Sequence, residues 1–260
     1  MNLGLVNKTA LVLGASRGLG AAIAAGLARE GATVYAAARS VEKVETWRID
    51  LPEDAGPVLP CAVDLSDLKS IDGLVDDLLE KGGVDILINN TGGPPSCTVL
   101  DATRSDWLSQ FETMAANIFH LTGRLLPAMQ ARKWGRIITL TSSGVEQPIP
   151  RLALSNGIRS AIVGWSKTLA DEVAADGVTV NILLPGRIHT QRVDELDAIA
   201  ARRSEKSQAD IAAASATSIP ARRYGRPEEF GDVAVFLASE RASYITGSKI
   251  RVDGGAIRGV

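Results

Sequence analysis

Short apolar runs rich in β-branched residues alternate along the chain with Ala- and Leu-rich stretches at helical spacing. The runs are apolar on both faces, which is typical of strands in a parallel sheet covered by helices on both sides. They lie at residues 9–14, 32–38, 58–63, 84–89, 136–141, 178–184 and 248–253. Between them the pattern predicts helices near residues 17–30, 66–80, 103–132, 152–176 and 226–239.

This order of elements predicts an α/β fold. We expect a doubly wound, parallel seven-stranded sheet of the Rossmann type, with helices on both faces and right-handed crossovers. The chain contains no internal repeat, no low-complexity tract and no Pro/Gly/Ser-rich linker. We therefore expect a single domain over residues 1–260.

One segment, residues 187–224, departs from the alternation of strands and helices. It is polar, rich in Ala and Arg, and lies between a predicted strand and the last predicted helix. Insertions at the carboxyl end of a parallel sheet lie beside the ligand crevice of this architecture. We interpret 187–224 as a substrate lid; the alternative is a solvated pair of helices that only covers the sheet edge.

A glycine-rich turn joins the first predicted strand to the first predicted helix. Glycines let the strand turn sharply and let the backbone approach a pyrophosphate closely. The helix N-terminus then presents unpaired N–H groups and a partial positive charge to the anion. The residues of this turn that we predict to bind the cofactor are Gly14, Ser16, Arg17, Gly18, Leu19 and Gly20. The alternative is a tight turn with no ligand.

The end of the second predicted strand bears on the choice of cofactor. NAD-binding folds of this type carry an acid there that binds the ribose hydroxyls. Here Ala38 occupies that position, Arg39 follows it, and Arg17 lies in the glycine turn. Guanidinium groups make bidentate bonds to phosphate, so this pair favours the 2′-phosphate of NADP(H) over NAD(H). The alternative is two solvated surface arginines.

Composition excludes several other classes of function. The 260 residues carry 28 Lys and Arg against 30 Asp and Glu, a formal charge of −2, without the basic excess of a nucleic-acid-binding protein. Two Cys and two His are too few for a disulfide framework or a His-rich metal centre. The first residues do not resemble a signal peptide, and no apolar stretch approaches the roughly 20 residues of a membrane span. We expect a cytoplasmic protein with a small-molecule substrate.

Several ordered motifs resemble the short-chain dehydrogenase/reductase family, in its branch similar to 3-oxoacyl carrier-protein reductases. They are the spacing Gly14-x-x-x-Gly18-x-Gly20, Asp64-Leu65, Asn89-Asn90-Thr91-Gly92, Pro185-Gly186-Arg187-Ile188-His189-Thr190 and Val252-Asp253-Gly254-Gly255. The resemblance covers nearly the whole chain. It also implies a homotetramer or homodimer, built from the helices at 103–132 and 152–176 and the last strand.

The resemblance implies roles for residues beyond the glycine turn. Asp64 and Leu65 correspond to the residues that contact the adenine. Asn90 and Gly92 correspond to the signature after the fourth strand, which also borders the cofactor. The segment that holds the nicotinamide amide in the family corresponds to Pro185, Gly186, Ile188 and Thr190.

The family's catalytic groups are a Ser, a Tyr and a Lys in the motif Tyr-x-x-x-Lys, usually with an Asn on the preceding helix. Ser142 matches the Ser, but the Tyr and Lys positions hold Ser155 and Arg159. The Asn position holds Met114, with Asn117 three residues out of register. Tyr35, Tyr224 and Tyr244 are the three tyrosines, and none lies within 152–176.

These substitutions leave two functions open. Arg159 could still bind the nicotinamide ribose, and Ser142 and Ser155 could weakly polarise a carbonyl. Arg159 is expected to be a poor proton donor, because the pKa of arginine lies above roughly 12. We therefore expect an NADP(H)-linked oxidoreductase acting on a carbonyl or an activated double bond with non-standard proton delivery. The alternative is a catalytically silent dinucleotide-binding protein, a sensor or partner subunit.

Two further side chains, His189 and Cys97, carry groups that can take part in catalysis. His189 could replace the missing acid, since histidine is a common proton donor in enzymes, but an exposed loop histidine is the interpretation we favour. Cys97 has no identifiable base nearby, so we expect it to pack or to line the pocket.

Overall fold

The computed structural model describes residues 2–259. Within them the chain forms a parallel seven-stranded sheet in the order β3-β2-β1-β4-β5-β6-β7. The strands are β1 (Thr9–Leu13), β2 (Thr33–Ala38), β3 (Val58–Ala62), β4 (Ile86–Asn89), β5 (Gly135–Leu140), β6 (Val178–Pro185) and β7 (Lys249–Val252). All seven predicted strands are confirmed. The interior strands β1, β4, β5 and β6 are almost wholly buried on both faces, whereas the edge strands β3 and β7 are partly exposed.

Helices cover the two faces of the sheet. They are α1 (Gly18–Arg29), α2 (Val41–Arg48), α3 (Leu68–Glu80), α4 (Arg104–Phe111), α5 (Asn117–Ala131), α6 (Ala153–Val173), α7 (Gln191–Ser204), α8 (Gln208–Ser218) and α9 (Pro227–Ala238). Apolar residues of α1, α2 and α9 pack against one face. Those of α3, α5 and α6 pack against the other. The doubly wound Rossmann-type architecture is confirmed.

Two local features differ from the sequence prediction. Helix α2 was not predicted, because Val44 is its only buried residue and the helix shows little apolar periodicity. The helix predicted over 103–132 contains a π-helical turn at Glu112–Ala116, which separates α4 from α5. Such turns insert one residue into the helical ladder and rotate the side chains that follow.

The strand order locates the ligand crevice. The chain proceeds outwards from β1 through β2 to β3 and then returns to add β4 on the other side of β1. In this architecture ligands bind beyond the carboxyl ends of the strands at that switch point. Gly14 follows β1 and Asn90 follows β4, so the glycine turn and the second motif lie at the same crevice.

The predicted lid region contains a helical pair, α7 and α8. Helices of the described chain are all too short or too polar to cross a membrane.

Candidate active site

The glycine turn forms a compact cradle between β1 and α1. Gly14 has a φ of 64°, in the left-handed region that favours glycine. A Cβ at Gly20 would lie 2.3 Å from the carbonyl oxygen of Gly14, so no larger residue fits there. Asn90 donates a hydrogen bond from Nδ2 to the same oxygen, at 3.4 Å. The turn is therefore as tight as close approach of a phosphate requires.

The start of α1 is open to an anion. Arg17 precedes the helix in an extended conformation, and its side chain does not cap the first turn. The first N–H groups of a helix have no partner within the helix and carry its positive dipole end. The free N–H groups at the start of α1 and the positive end of its dipole therefore fit a pyrophosphate. Ser16 and Leu19 lie partly buried in this cradle.

Trp47 on α2 braces the glycine turn from outside. Its indole Nε1–H donates to the carbonyl oxygen of Ala15 at 3.0 Å. The sequence did not predict this contact, because the two residues lie 32 positions apart and α2 was not predicted. A single large aromatic residue in an otherwise polar segment was the available signal.

The two arginines predicted to flank the adenosine ribose have different surroundings. Arg39 is exposed directly after β2. Arg17 extends towards α7, where its Nη1 donates to Gln191 and lies 3.3 Å from the Glu195 carboxylate. One predicted phosphate ligand thus already has an anionic partner within the chain.

Asp64 and Leu65 form an ordered loop after β3. Asp64 accepts hydrogen bonds from the hydroxyl and the N–H of Ser66, which hold the pKa of its carboxyl below the usual range; Arg39 adds a smaller effect. Asn117 donates from Nδ2 to the carbonyl oxygen of Leu65 at 2.9 Å. Asn117 therefore supports this loop, a role that the sequence analysis did not assign to it.

Ser142 follows the carboxyl end of β5, and Ser155 and Arg159 lie on the first part of α6. Ser142 accepts a hydrogen bond from the Gly144 N–H at 3.0 Å. Arg159 donates from Nη1 to the carbonyl oxygen of Leu140, two residues before Ser142, at 3.0 Å. Ser155 lies one turn before Arg159 on the same buried side of α6.

Arg159 is a buried cation. Only 7% of its surface is exposed, and no carboxylate of residues 2–259 forms a salt bridge with it. Burial lowers the pKa of Arg159 to about 10, below the usual pKa of arginine on which the sequence prediction relied. The guanidinium keeps its charge at neutral pH, so this corner of the site favours an oxygen that carries or develops negative charge.

The segment Pro185–Thr190 is held from both sides. The Gly186 N–H donates to the carbonyl oxygen of Val252, the last residue of β7, at 3.0 Å. Ile188 is buried and forms an isolated parallel bridge with Gly225. Thr190 packs towards the glycine turn, with its Cγ2 3.5 Å from where a Cβ of Gly18 would lie. The predicted nicotinamide segment therefore borders the same crevice as the glycine turn.

A buried cluster behind this segment was missed by the sequence analysis. Asp197 on α7 accepts from Arg187 Nη1 at 2.9 Å and from the Tyr224 hydroxyl at 2.8 Å. The sequence feature that could have revealed this cluster is an acidic residue, Asp197, on the otherwise apolar stripe of α7, between Val193 and Ala201. Burial, and to a lesser degree Asp197, raises the pKa of Tyr224, which makes this phenol a weaker acid than usual.

Comparison with known proteins agrees with this geometry. A family model described as enoyl-(acyl carrier protein) reductase matches residues 14–256. Nodulation protein G of Azospirillum brasilense is 36% identical over 95% of this chain and 97% of its own length. The 3-oxoacyl-(acyl-carrier-protein) reductase FabG of Vibrio cholerae is 35% identical over 97% of this chain and 98% of its own. The L-sorbose reductase of Gluconobacter frateurii, solved with NADPH and L-sorbose, is 33% identical with a TM-score of 0.93 over the whole of both chains.

This chain belongs to the short-chain dehydrogenase/reductase family. The predicted resemblance, including its similarity to 3-oxoacyl carrier-protein reductases, is confirmed. In this short-chain dehydrogenase/reductase, three features share one crevice: the tight glycine turn, the uncapped start of α1 and the Pro185–Thr190 segment. Together they fit a dinucleotide.

Three other residues considered in the sequence analysis, Met114, Cys97 and His189, are not positioned to donate a proton in the candidate site. Met114 is buried in an apolar cluster with Leu154 and Ile158. Cys97 packs against the same cluster and forms a bridge with Leu152. His189 is 66% exposed and lies 3.2 Å from the Asp194 carboxylate.

Proposed function

We propose that this protein is an NADP(H)-dependent reductase that acts on a carbonyl or an activated double bond without a tyrosine as proton donor. The observation that carries the proposal is the buried, charged Arg159, which is hydrogen-bonded to Leu140 at the end of β5, two residues before Ser142. The reductases to which the chain is similar, one of them solved with NADPH, support the reaction class.

The chain's own residues would hold the cofactor along the crevice. The glycine turn and the start of α1 would bind the pyrophosphate, and Arg17 and Arg39 the 2′-phosphate. Asp64, Leu65, Asn90 and Gly92 would border the adenosine half. The other half would lie against Pro185, Gly186, Ile188 and Thr190, with Arg159 near the ribose. When bound, the cofactor supplies the hydride.

Ser142 is the residue proposed to hold the substrate oxygen. Its Oγ already accepts from Gly144, which leaves its own proton free to point at a substrate. Ser155 would provide a second hydroxyl, and the positive charge of Arg159 would stabilise negative charge developing on that oxygen. Donors of this kind are worth about 3–4 kcal/mol in other enzymes. The proton that completes the reaction would come from water, because Arg159 remains protonated at neutral pH.

We further propose that α7 and α8 form the substrate lid predicted over 187–224, within a single domain. Arg17 bound to Gln191, and Thr190 against Gly18, support this, because both contacts bring α7 over the glycine turn. The proposed partners are a small-molecule substrate and further copies of the chain in a homotetramer or homodimer, in the cytoplasm. Phe119 stacks on Trp165 at 4.2 Å and joins α5 to α6, the helices expected at the subunit contact. Light scattering tests the oligomeric state.

The second candidate is a catalytically silent dinucleotide-binding protein. The absence of a tyrosine from α6 favours it, since general acid–base catalysis typically contributes about a hundred- to ten-thousand-fold in rate.

The test measures NADPH oxidation against a panel of aldehydes, ketones, enones, sugars and 3-oxoacyl thioesters. The native chain is compared with the double variant Ser155→Tyr/Arg159→Lys, with Arg29→Lys at the exposed end of α1 as a control. Turnover by the native chain supports the reductase. Binding of NADPH without turnover, with activity gained only in the double variant, supports the silent protein, and failure to bind NADPH contradicts both.

A further inference from the structure

Asp197 is a buried carboxylate with two donors. It is 2% exposed, and its two oxygens are used separately: Oδ1 by Arg187 Nη1 and Oδ2 by the Tyr224 hydroxyl. A buried carboxylate is costly unless it is paired and hydrogen-bonded, so these three side chains depend on one another. They come from three separate parts of the chain: the loop after β6, helix α7, and the segment between α8 and α9.

The same three parts are joined through the backbone. Gly225, the neighbour of Tyr224, donates its N–H to the carbonyl oxygen of Arg187 at 2.9 Å. Its own carbonyl oxygen accepts from the His189 N–H at 2.8 Å. Residues 187–189 are therefore fixed on one side by Gly225 and, through the Arg187 side chain, by Asp197.

We infer that Asp197 is a positioning residue for the nicotinamide half of the cofactor site, acting through Arg187 and Tyr224. This rests on the proposed function, in which 185–190 holds the nicotinamide half. The Asp197 carboxylate is the part of α7 that fixes both Arg187 and Tyr224. Docking of α7 and the conformation of 187–190 are therefore coupled. The adenosine half depends instead on the glycine turn and on the loop at Asp64, which form no hydrogen bond with the side chains of Asp197, Arg187 or Tyr224 within residues 2–259. Helix α7 reaches the glycine turn separately, through Gln191 and Glu195 near its start.

The test separates the two halves of the cofactor. Affinities for NADPH and for 2′,5′-ADP, which lacks the nicotinamide riboside, are measured by calorimetry for the native chain and for Asp197→Asn. We expect Asp197→Asn to bind NADPH about tenfold more weakly, which corresponds to about 1.4 kcal/mol, and to bind 2′,5′-ADP as the native chain does. Tyr224→Phe, which removes only one donor, should change NADPH binding in the same direction by less.

Asp85→Asn is the matched control. Asp85 is also a carboxylate paired with an arginine, Arg132, at 3.2 Å, and it accepts from the Thr9 N–H at 2.9 Å, but it lies at the amino ends of β1 and β4, away from the crevice. The same carboxylate-to-amide change there should leave both affinities unchanged. If Asp197→Asn does not fold, judged by circular dichroism, Tyr224→Phe alone decides.

The possible results are distinct. Equal weakening of both ligands, or unchanged binding of both, overturns the positioning role and leaves the proposed function standing. A native chain that binds 2′,5′-ADP but gains no affinity from the nicotinamide half also overturns the inference. A native chain that binds neither ligand overturns the proposed function, and the inference falls with it.

Discussion

Arg17 of the glycine turn and Glu195 of α7 form an ion pair, with 3.3 Å between Nη1 and Oε1. Their side chains are 47% and 39% exposed, so the pair contributes little to stability. The pair matters for cofactor binding, because Glu195 competes with a 2′-phosphate for Arg17. A phosphate bound by Arg17 would have to displace this carboxylate or lie beside it.

Glu195→Gln should therefore strengthen binding of NADPH. Removing the carboxylate frees the Arg17 guanidinium and removes repulsion of the phosphate, which we expect to be worth about two- to fivefold in Kd, the scale of an exposed ion pair. Fluorescence titration with NADPH and NADH measures it, with Glu80→Gln on the far end of α3 as control. Binding of NADH should not change; an equal gain for both cofactors would contradict phosphate competition.

Arg159 should make stability depend on pH in the alkaline range. Its pKa is about 10 in the folded chain, below the usual value for arginine. At pH values between the two, the unfolded state binds more protons, so stability rises with pH there. The free energy of unfolding of the native chain should gain about 1.4 kcal/mol relative to Arg159→Met between pH 7 and pH 11. Urea denaturation of both proteins measures this difference, and a gap that stays constant with pH would count against a buried charge.

Ser142→Ala should lower turnover without weakening cofactor binding. It removes the hydroxyl proposed to donate to the substrate oxygen, and loss of one such donor typically costs about a hundred- to a thousandfold in kcat. Steady-state kinetics on whichever substrate of the panel is reduced measures it, beside the NADPH Kd. Ser143→Ala, one residue along, is the control; if both variants lose activity equally, the loop and not the Ser142 hydroxyl is responsible.

Trp47→Phe should weaken dinucleotide binding by loosening the glycine turn. The change keeps an aromatic ring but removes the N–H that donates to Ala15, a hydrogen bond worth about 1 kcal/mol. We expect a Kd for NADPH raised up to about fivefold. Trp165→Phe on α6 is the control and should leave that Kd unchanged. A Trp47→Phe protein that binds NADPH like the native chain would show that the turn does not depend on the Trp47–Ala15 hydrogen bond.

The sequence predicted the sheet and the crevice well, because both depend on patterns that are local along the chain. A run such as 9–14, apolar on both faces, can only be buried, and glycines at 14, 18 and 20 mark a turn wherever the fold places them. Helix α2 lacked such a pattern, since Val44 alone is buried.

The surroundings of individual site residues could not be predicted in the same way. Arg17 contacts Gln191 and Glu195, 174 and 178 positions away, and the burial of Arg159 depends on the end of β5. Asp197 lay on a stripe that the sequence could have marked as apolar, but its partners became visible only when the loop after β6 and Tyr224 were brought together.

The position of β1 between β2 and β4 also has a consequence for how the protein folds. The turn after β1 is completed by Asn90, 76 residues further along the chain, so its final shape requires β4 to be in place beside β1. Closing a loop of that length is slow relative to forming α1, whose contacts are local. A nascent chain that ends before β4 would contain the glycines at 14, 18 and 20, but the turn would not yet have its final conformation.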